Sequence, residues 1–247
     1  DIYGPNLGAL KGKTVHRPNP HVDARTHPVP PELLSVHQRV VLEIDIMFIN
    51  KMAFFVTHSQ NIHFITIHPL ENRQVDTIAQ CLTETIKLYH KRGFEVTTIL
   101  SDGEFRPLQA MFPNLNPCAA GEHVPGMERT IRTIKDSIRS TYRMLPFRRL
   151  PRILLSYLAR NAVFWLNAFP AADGISSVFS PRYLLVGKNI IYDKHVRLEF
   201  GAYVQTHEEH NNSVSVNRTM GPICLGPTRN LQGGHYFMSL ATGEQIT

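Results

Sequence analysis

The sequence of 247 residues is poor in cysteine, has no long apolar run and carries little charge for its length. Its three cysteines, Cys81, Cys118 and Cys224, lie far apart and form no Cys-x-x-Cys pair, which argues against a disulfide framework and a zinc knuckle. No apolar run approaches the ~20 residues of a membrane-spanning helix, and no signal peptide is visible. With 43% hydrophobic and 19% charged residues, the composition is typical of a globular protein.

The charge that is present concentrates in one stretch. Between residues 125 and 160, nine Lys and Arg stand against Glu128 and Asp136, whereas the whole chain has a formal net charge of +6. A focused basic strip suits the phosphate backbone of a nucleic acid, and the alternative interpretation is a solvated helix face. The candidate DNA-binding residues are Arg129, Arg132, Lys135, Arg139, Arg143, Arg148 and Arg149.

The first half of the chain predicts an α/β fold. Residues 1–38 are rich in glycine and proline and predict an extended lead-in. After them come three short strands with short connections, then a helix and a fourth strand, at residues 40–49, 53–57, 62–67, 75–89 and 96–100. Short connections favour an antiparallel meander, and the helix permits a parallel return to the first strand. This order indicates an RNase H-like core, in which parallel strands join the meander and helices flank the sheet.

The second half predicts two helices and a smaller β-rich part. Pro125 stands where a first helical residue would, and apolar residues follow at helical spacing to residue 144. A second helix is expected at 153–168, and short strands broken by glycine at 201–204, 222–225 and 235–240 indicate a small antiparallel β-domain. The predicted division is therefore 1–38, 39–190 for the catalytic core, and 191–247 for the β-domain. The sequence begins at Asp1 rather than Met, which indicates a piece of a longer chain.

Two aspartates are placed where a cation would be expected. Asp45 lies in the most apolar strand, where a carboxylate is costly unless it is paired or coordinates a cation. Asp102 stands at the carboxyl end of the fourth strand, the edge at which α/β sheets bind ligands. Taken singly, Asp45 is equally explained by a buried polar bond and Asp102 by a turn or helix cap. Glu43 shares the strand face of Asp45, so it either joins the site or borders it.

Glu128 is the candidate third acid. It begins a row on the 125–144 helix that Arg132, Lys135 and Arg139 continue. A carboxylate at the head of a basic row suits phosphoryl chemistry, and the alternative is a surface ion pair between Glu128 and Arg132. Glu122, in the preceding loop, is the second choice for this role.

Three carboxylates suit a pair of divalent cations. Mg²⁺ and Mn²⁺ prefer hard oxygen ligands, and two such ions about 3.5–4 Å apart can promote an in-line displacement at phosphorus. No Ser/His/Asp or Cys/His set and no P-loop is evident. The 13 histidines are scattered, and we interpret those near the predicted strands as ordinary strand and loop residues: His58, His63 and His68.

Three blocks of the sequence resemble the catalytic blocks of copia-type retrotransposon integrases. They are residues 41–49, Ser-Asp-Gly-Glu-Phe at 101–105, and Gly-Met-Glu-Arg-Thr-Ile-Arg-Thr at 126–133. Residues 180–188 (Ser-Pro-Arg-Tyr-Leu-Leu-Val-Gly-Lys) are similar to a further family segment, and 218–226 and 234–247 resemble strands of the family's post-core β-domain. The resemblance covers about residues 39–247, and the ordered set of blocks is more specific than any one block.

The sequence departs from the family pattern in three places. The second block usually reads Asp-Asn-Gly-x-Glu-Phe, and here two of those residues are missing. Asp102 and Glu128 are separated by 25 residues, fewer than is usual in the family, which keeps Glu122 as an alternative. The family's amino-terminal zinc module of two histidines and two cysteines has no counterpart in residues 1–15.

The resemblance implies a polynucleotidyl transferase that processes element DNA ends and joins them to target DNA with two Mg²⁺ or Mn²⁺ ions. Asp45, Asp102 and Glu128 match the metal-binding acids, and Arg132 and Lys135 match DNA-contacting positions. A homo-oligomer, located in the nucleus or in a cytoplasmic element particle and not at a membrane, is implied too. Two alternatives stay open: an inactive or domesticated DNA-binding remnant, and an RNase H-like nuclease that does not join strands.

Overall fold

The computed structural model describes residues 6–13, 25–118, 124–207, 215–228 and 232–247. The chain groups into two compact units. The core unit holds residues 25–143 and 162–189, and the second unit holds 1–24, 144–161 and 190–247. Across the described ranges, no helix combines the length and the apolar character needed to cross a bilayer.

The core unit is built on an antiparallel hairpin. β1 (Arg39–Ile49) and β2 (Met52–Ser59) are joined by Asn50 and Lys51, which agrees with the short connection predicted between residues 49 and 53. Both turn residues have positive φ, 46° and 66°, which matches the twist that a two-residue hairpin needs. The tight turn fixes the register, so Glu43 lies opposite His58 and Asp45 lies opposite Val56.

The remaining strands complete a five-stranded mixed sheet with the order β3-β2-β1-β4-β5. β3 (Ile65–Leu70) pairs antiparallel with β2. α3 (Val75–His90) then leads to β4 (Glu95–Ser101), which runs parallel to β1. β5 (Leu115–Pro117) follows a 3₁₀ helix at Gly103–Ala110 and pairs parallel with β4. This is the RNase H-like topology, and it confirms the predicted fold class.

Helices cover both faces of this sheet. Leu42 and Ile44 of β1 are buried in one hydrophobic cluster together with Leu82 of α3. Successive side chains of a strand point to opposite faces, so Glu43 points away from that cluster. α4 (Pro125–Met144) lies on the Glu43 side, since its Gly126 closely approaches the Glu43 carboxylate. The start of α4 at Pro125 agrees with the sequence prediction.

The amino-terminal segment contains two short helices where the sequence predicts an extended lead-in. These are α1 (Leu7–Lys13), in the second unit, and α2 (Pro31–His37), in the core unit. Pro31 is the first residue of α2, a position that suits the fixed φ and the missing N–H of proline. Leu33 and Leu34 of α2 pack against the core cluster, and this contact accounts for a helix in a segment without clear periodicity.

The second unit has a hydrophobic core of its own. α5 (Arg152–Leu166) begins in this unit, and its Leu154 and Tyr157 are buried with Ile223, Leu225 and Met238. Ile223, Leu225 and Met238 belong to an antiparallel sheet formed by β8 (Ile223–Pro227), β9 (His235–Met238) and β10 (Gln245–Ile246). The smaller elements are α6 (Pro181–Val186, in the core unit), α7 (Tyr192–His195), β6 (Thr206–His207) and β7 (Thr219–Met220).

The predicted small antiparallel sheets in the carboxyl-terminal part are therefore present. The strand predicted at 201–204 is reduced to a single bridge between Tyr203 and Ile223. The predicted domain boundaries after residues 38 and 190 stay a prediction.

Candidate active site

The parallel pairing of β1 and β4 brings Asp45 and Asp102 to neighbouring positions. Ile44 lies beside Ser101 in the register, the next residue of β1 is Asp45, and Asp102 directly follows the last residue of β4. Adjacent strands in register point equivalent side chains to the same face. Accordingly, both aspartates line one cavity of about 210 Å³.

Glu128 completes the acidic lining of this cavity. It lies in the first turn of α4 and is exposed, and Ile44, Val124 and Met127 complete the lining of the cavity. The structure therefore brings together the three acids that the sequence singled out. Glu122, the alternative third acid, lies outside the described residues.

The three carboxylates offer the right donor chemistry for a divalent cation but do not form a closed cluster. In the described ranges, no three His, Cys, Asp or Glu side chains are arranged to hold a metal ion. The backbone N–H of Ile46 donates to Asp45 Oδ1 at 2.6 Å. Because the cavity is lined by hard carboxylate oxygens, its lining fits Mg²⁺ or Mn²⁺ in chemistry, and Asp45, Asp102 and Glu128 are the residues that would hold such an ion.

A second, larger cavity of about 610 Å³ continues from this site along α4. It shares Asp45 and Glu128, and we name it the basic groove. One wall is β1 and the other is α4, and its lining further comprises Ile46, Met47, Phe48, Ile131, Arg132, Lys135, Asp136 and Arg139. A groove lined by apolar and cationic side chains next to the acids suits a strand of nucleic acid.

The seven predicted DNA-binding residues do not all lie in this groove. Arg132, Lys135 and Arg139 line it, and Arg139 Nη1 is 2.6 Å from Asp136 Oδ1 in an exposed ion pair. Arg129 and Arg143 are exposed on α4 outside the groove lining. The other two, Arg148 and Arg149, are exposed in the second unit.

Glu43 lies beside the acidic cavity rather than in its lining. Its residue is 2% exposed. Gln60 Nε2 donates to Glu43 Oε1 at 2.9 Å, and His58 Nδ1 donates to Oε2 at 2.9 Å. Burial disfavours the charged carboxylate, but the hydrogen bonds from His58 and Gln60 and the electrostatic attraction of His58 and His63 together outweigh it, and the pKa of Glu43 lies below its ordinary 4.5. Of the two possibilities for Glu43, the structure favours a bordering residue.

Sequence reasoning missed the partners of Glu43. It interpreted His58 and His63 as ordinary residues, yet His58 Nε2 lies 3.2 Å from His63 Nδ1, and His63 Nε2 lies 3.3 Å from Asp173 Oδ1. His63 has a φ of 59°, which is uncommon outside glycine. The one available signal was the Asn50-Lys51 turn, because a two-residue hairpin centred there places Glu43 opposite His58.

The sheet order and the acid-lined cavity define an RNase H-like core. No protein-family model matches the sequence, and no curated protein matches it. Among solved structures, the chain is similar to the catalytic core domain of BIV integrase, with a TM-score of 0.41 and 14% identity over 59% of this chain and 93% of that one. It is also similar to the HTLV-2 integrase catalytic core domain in complex with magnesium (trimeric form), with a TM-score of 0.42 and 15% identity over 59% of this chain and 95% of that one.

Proposed function

We propose that this chain is the catalytic part of a copia-type retrotransposon integrase. In this proposal it processes the 3′ ends of element DNA and transfers them to target DNA, with Asp45, Asp102 and Glu128 as the catalytic acids. The observation that supports it most directly is that these three acids line one cavity, which opens into the basic groove.

The three acids would hold two Mg²⁺ or Mn²⁺ ions, which when bound supply a polarised nucleophile and stabilise the leaving oxygen. Asp45 and Asp102 come from adjacent parallel strands, so the sheet fixes their spacing. Glu128 comes from a helix and is exposed, so it approaches from the side on which DNA would enter. The apolar side chains of the buried Val124 and Met127, which also line the cavity, would limit water there.

The basic groove would guide the DNA strand to the acids. Arg132, Lys135 and Arg139 can neutralise phosphates along the strand, and their order on one helix face sets its direction relative to Glu128. Of the seven basic residues proposed from the sequence, three line the basic groove and four do not. Assembly as a homo-oligomer on two DNA ends belongs to the same proposal.

The test replaces single acids and measures joining and binding separately. Asp45→Asn, Asp102→Asn and Glu128→Gln should each lower Mn²⁺-dependent strand transfer of an oligonucleotide duplex by at least about 100-fold, because each removes a ligand charge. Salt-dependent DNA binding should be retained. Glu95→Gln, at the exposed opposite end of β4, is the matched control and should keep wild-type transfer.

Other outcomes separate the alternatives. Full strand transfer by Asp45→Asn would overturn the proposal. DNA cleavage by the wild-type chain without joining would identify a nuclease, and DNA binding with neither reaction would identify a remnant. Loss of transfer in Glu122→Gln but not in Glu128→Gln would move the third acid to Glu122.

A further inference from the structure

Glu43 and Gly126 approach each other so closely that only glycine fits at position 126. A Cβ placed on Gly126 would lie 2.5 Å from Glu43 Oε1 and 2.7 Å from Oε2. Carbon and oxygen atoms that are not bonded do not come this close, so any side chain at position 126 has to displace either the carboxylate or the helix. Gly126 is therefore required by this contact and not by its own backbone angles.

The carboxylate is held in place and cannot simply move aside. It is buried, and both of its oxygens accept hydrogen bonds, one from His58 and one from Gln60. His58 is in turn backed by His63, whose ring lies 5.3 Å away between centroids. His63 keeps its uncommon positive φ while in contact with His58 and Asp173. Such a conformation persists where the surroundings fix it, so displacing the Glu43 carboxylate would disturb the contacts of both His58 and His63.

What Glu43 touches is the start of the helix that carries Glu128. Gly126 and Glu128 both lie in the first turn of α4, about 3 Å apart along the helix axis. The Glu43 carboxylate is negative and faces the helix end that carries partial positive charge, so the contact is attractive. A displacement of this turn would carry Glu128 with it, because the turn is bonded into a 20-residue helix.

We propose that Glu43 is a positioning residue that sets the location of Glu128 relative to Asp45 by seating the first turn of α4 at Gly126. Asp45 and Glu43 lie on the same face of β1. This strand therefore supplies Asp45 to the cavity and also the Glu43 carboxylate that limits how closely α4, which carries Glu128, can approach. This inference rests on the proposed function, since the distance it sets matters for a shared metal pair.

The test uses side-chain length to separate positioning from general packing. Gly126→Ala places a methyl group against the carboxylate. Glu43→Asp withdraws the carboxylate by one methylene and makes room for it, whereas Glu43→Gln keeps the original length. The four chains to compare with wild type are Gly126→Ala, Glu43→Asp, and Gly126→Ala combined with either Glu43→Asp or Glu43→Gln. Each is assayed for kcat and KM in DNA strand transfer and for Mn²⁺ binding by calorimetry.

Gly126→Ala should lower kcat by about 10- to 100-fold, the effect of a misplacement on the order of 1 Å, with the KM for DNA unchanged. Its Mn²⁺ affinity should fall as well. Adding Glu43→Asp should restore most of both losses, and adding Glu43→Gln should restore neither. Glu43→Asp alone should lower kcat to a lesser extent, and this variant tests the inference if Gly126→Ala does not fold.

The proposal is overturned if folded Gly126→Ala, or in its absence Glu43→Asp, keeps wild-type kcat and Mn²⁺ affinity, or if Glu43→Gln rescues as well as Glu43→Asp. If the wild-type chain binds Mn²⁺ but joins no DNA, the proposed function is wrong and this inference still stands to be tested. In that case the Mn²⁺ affinities of the variants decide it. A wild-type chain that binds no Mn²⁺ defeats both.

Discussion

Glu43 and Asp45 lie two residues apart on the same face of β1, yet their surroundings differ. Glu43 is buried against His58 and Gln60, which satisfy both of its oxygens. Asp45 is half-buried and faces the cavity that it shares with Asp102 and Glu128. The difference arises across the hairpin, where Glu43 faces a histidine and Asp45 faces Val56.

The depressed pKa of Glu43 makes the stability of the fold depend on acid pH. In the unfolded chain the carboxyl titrates near 4.5, and in the folded chain it titrates lower. As pH falls below 4.5 the unfolded state takes up a proton first, so stability from Glu43 is present at neutral pH and is lost through this range. Glu43→Gln should flatten the fall in the free energy of unfolding below pH 4.5.

Urea denaturation at a series of pH values measures this effect. The exposed Glu95→Gln variant removes one carboxylate elsewhere on the sheet and should keep the steepness of the wild-type curve. An equally steep curve for Glu43→Gln would show that Glu43 does not contribute in this way.

At the scale of the element, α4 presents side chains to three different surroundings. Met127, Ile134 and Ile138 are buried and attach it to the unit. Glu128 faces the acid-lined cavity, and Arg132 and Arg139 face the groove. A 20-residue helix can separate these roles because residues three or four apart share one face.

The basic face of α4 predicts the salt dependence of DNA binding. Arg132→Ala/Arg139→Ala should weaken binding and lower the slope of log K against log salt by about 2, because each removed phosphate contact accounts for about 0.9. Fluorescence anisotropy with labelled duplex at several salt concentrations measures the slope.

The matched control is Lys87→Ala/Lys91→Ala, which removes the same charge from exposed positions at the end of α3. It should change the slope little. If both pairs lower the slope equally, binding follows net charge and the groove is not the DNA-binding surface.

At the scale of the whole molecule, neither compact unit is continuous in sequence. The second unit combines residues 144–161 with 190–247, and the core unit resumes at 162–189 between them. Leu154 and Tyr157 of α5 are covered by Ile223, Leu225 and Met238, and the Tyr157 hydroxyl donates to Gln245 Oε1. Removing residues 190–247 would thus uncover a hydrophobic face of α5, whose last residues belong to the core unit.

A chain limited to residues 25–189 should therefore bind the dye ANS several-fold more strongly than the full chain and should tend to associate. Replacing both uncovered residues, Leu154→Lys and Tyr157→Lys, should remove most of that increase. A truncated chain that stays monomeric with dye binding like the full chain would contradict this expectation. Fluorescence titration and gel filtration measure the two properties.

The sequence alone determined the elements with strong local patterns. β1, α3, β4 and α4 follow from apolar periodicity and from Pro125, since these signals act within a few residues. The short connections and the helical crossover then left few topologies, so the RNase H-like order could be predicted. Asp45, Asp102 and Glu128 could be proposed as the metal-binding acids because each occupies a distinctive place on its own element, and Glu122 stayed an alternative to Glu128.

The tertiary structure decided what depends on neighbours distant in sequence. The three-residue β5 and the helix α2 are stabilised by contacts with the core and have little local signal. The same holds for the partners of Glu43, because the hydrogen bonds of a buried carboxylate depend on which side chains the register brings opposite it. The Glu43 carboxylate of β1 leaves no room for a side chain at position 126, although nothing within the sequence of α4 requires a glycine there.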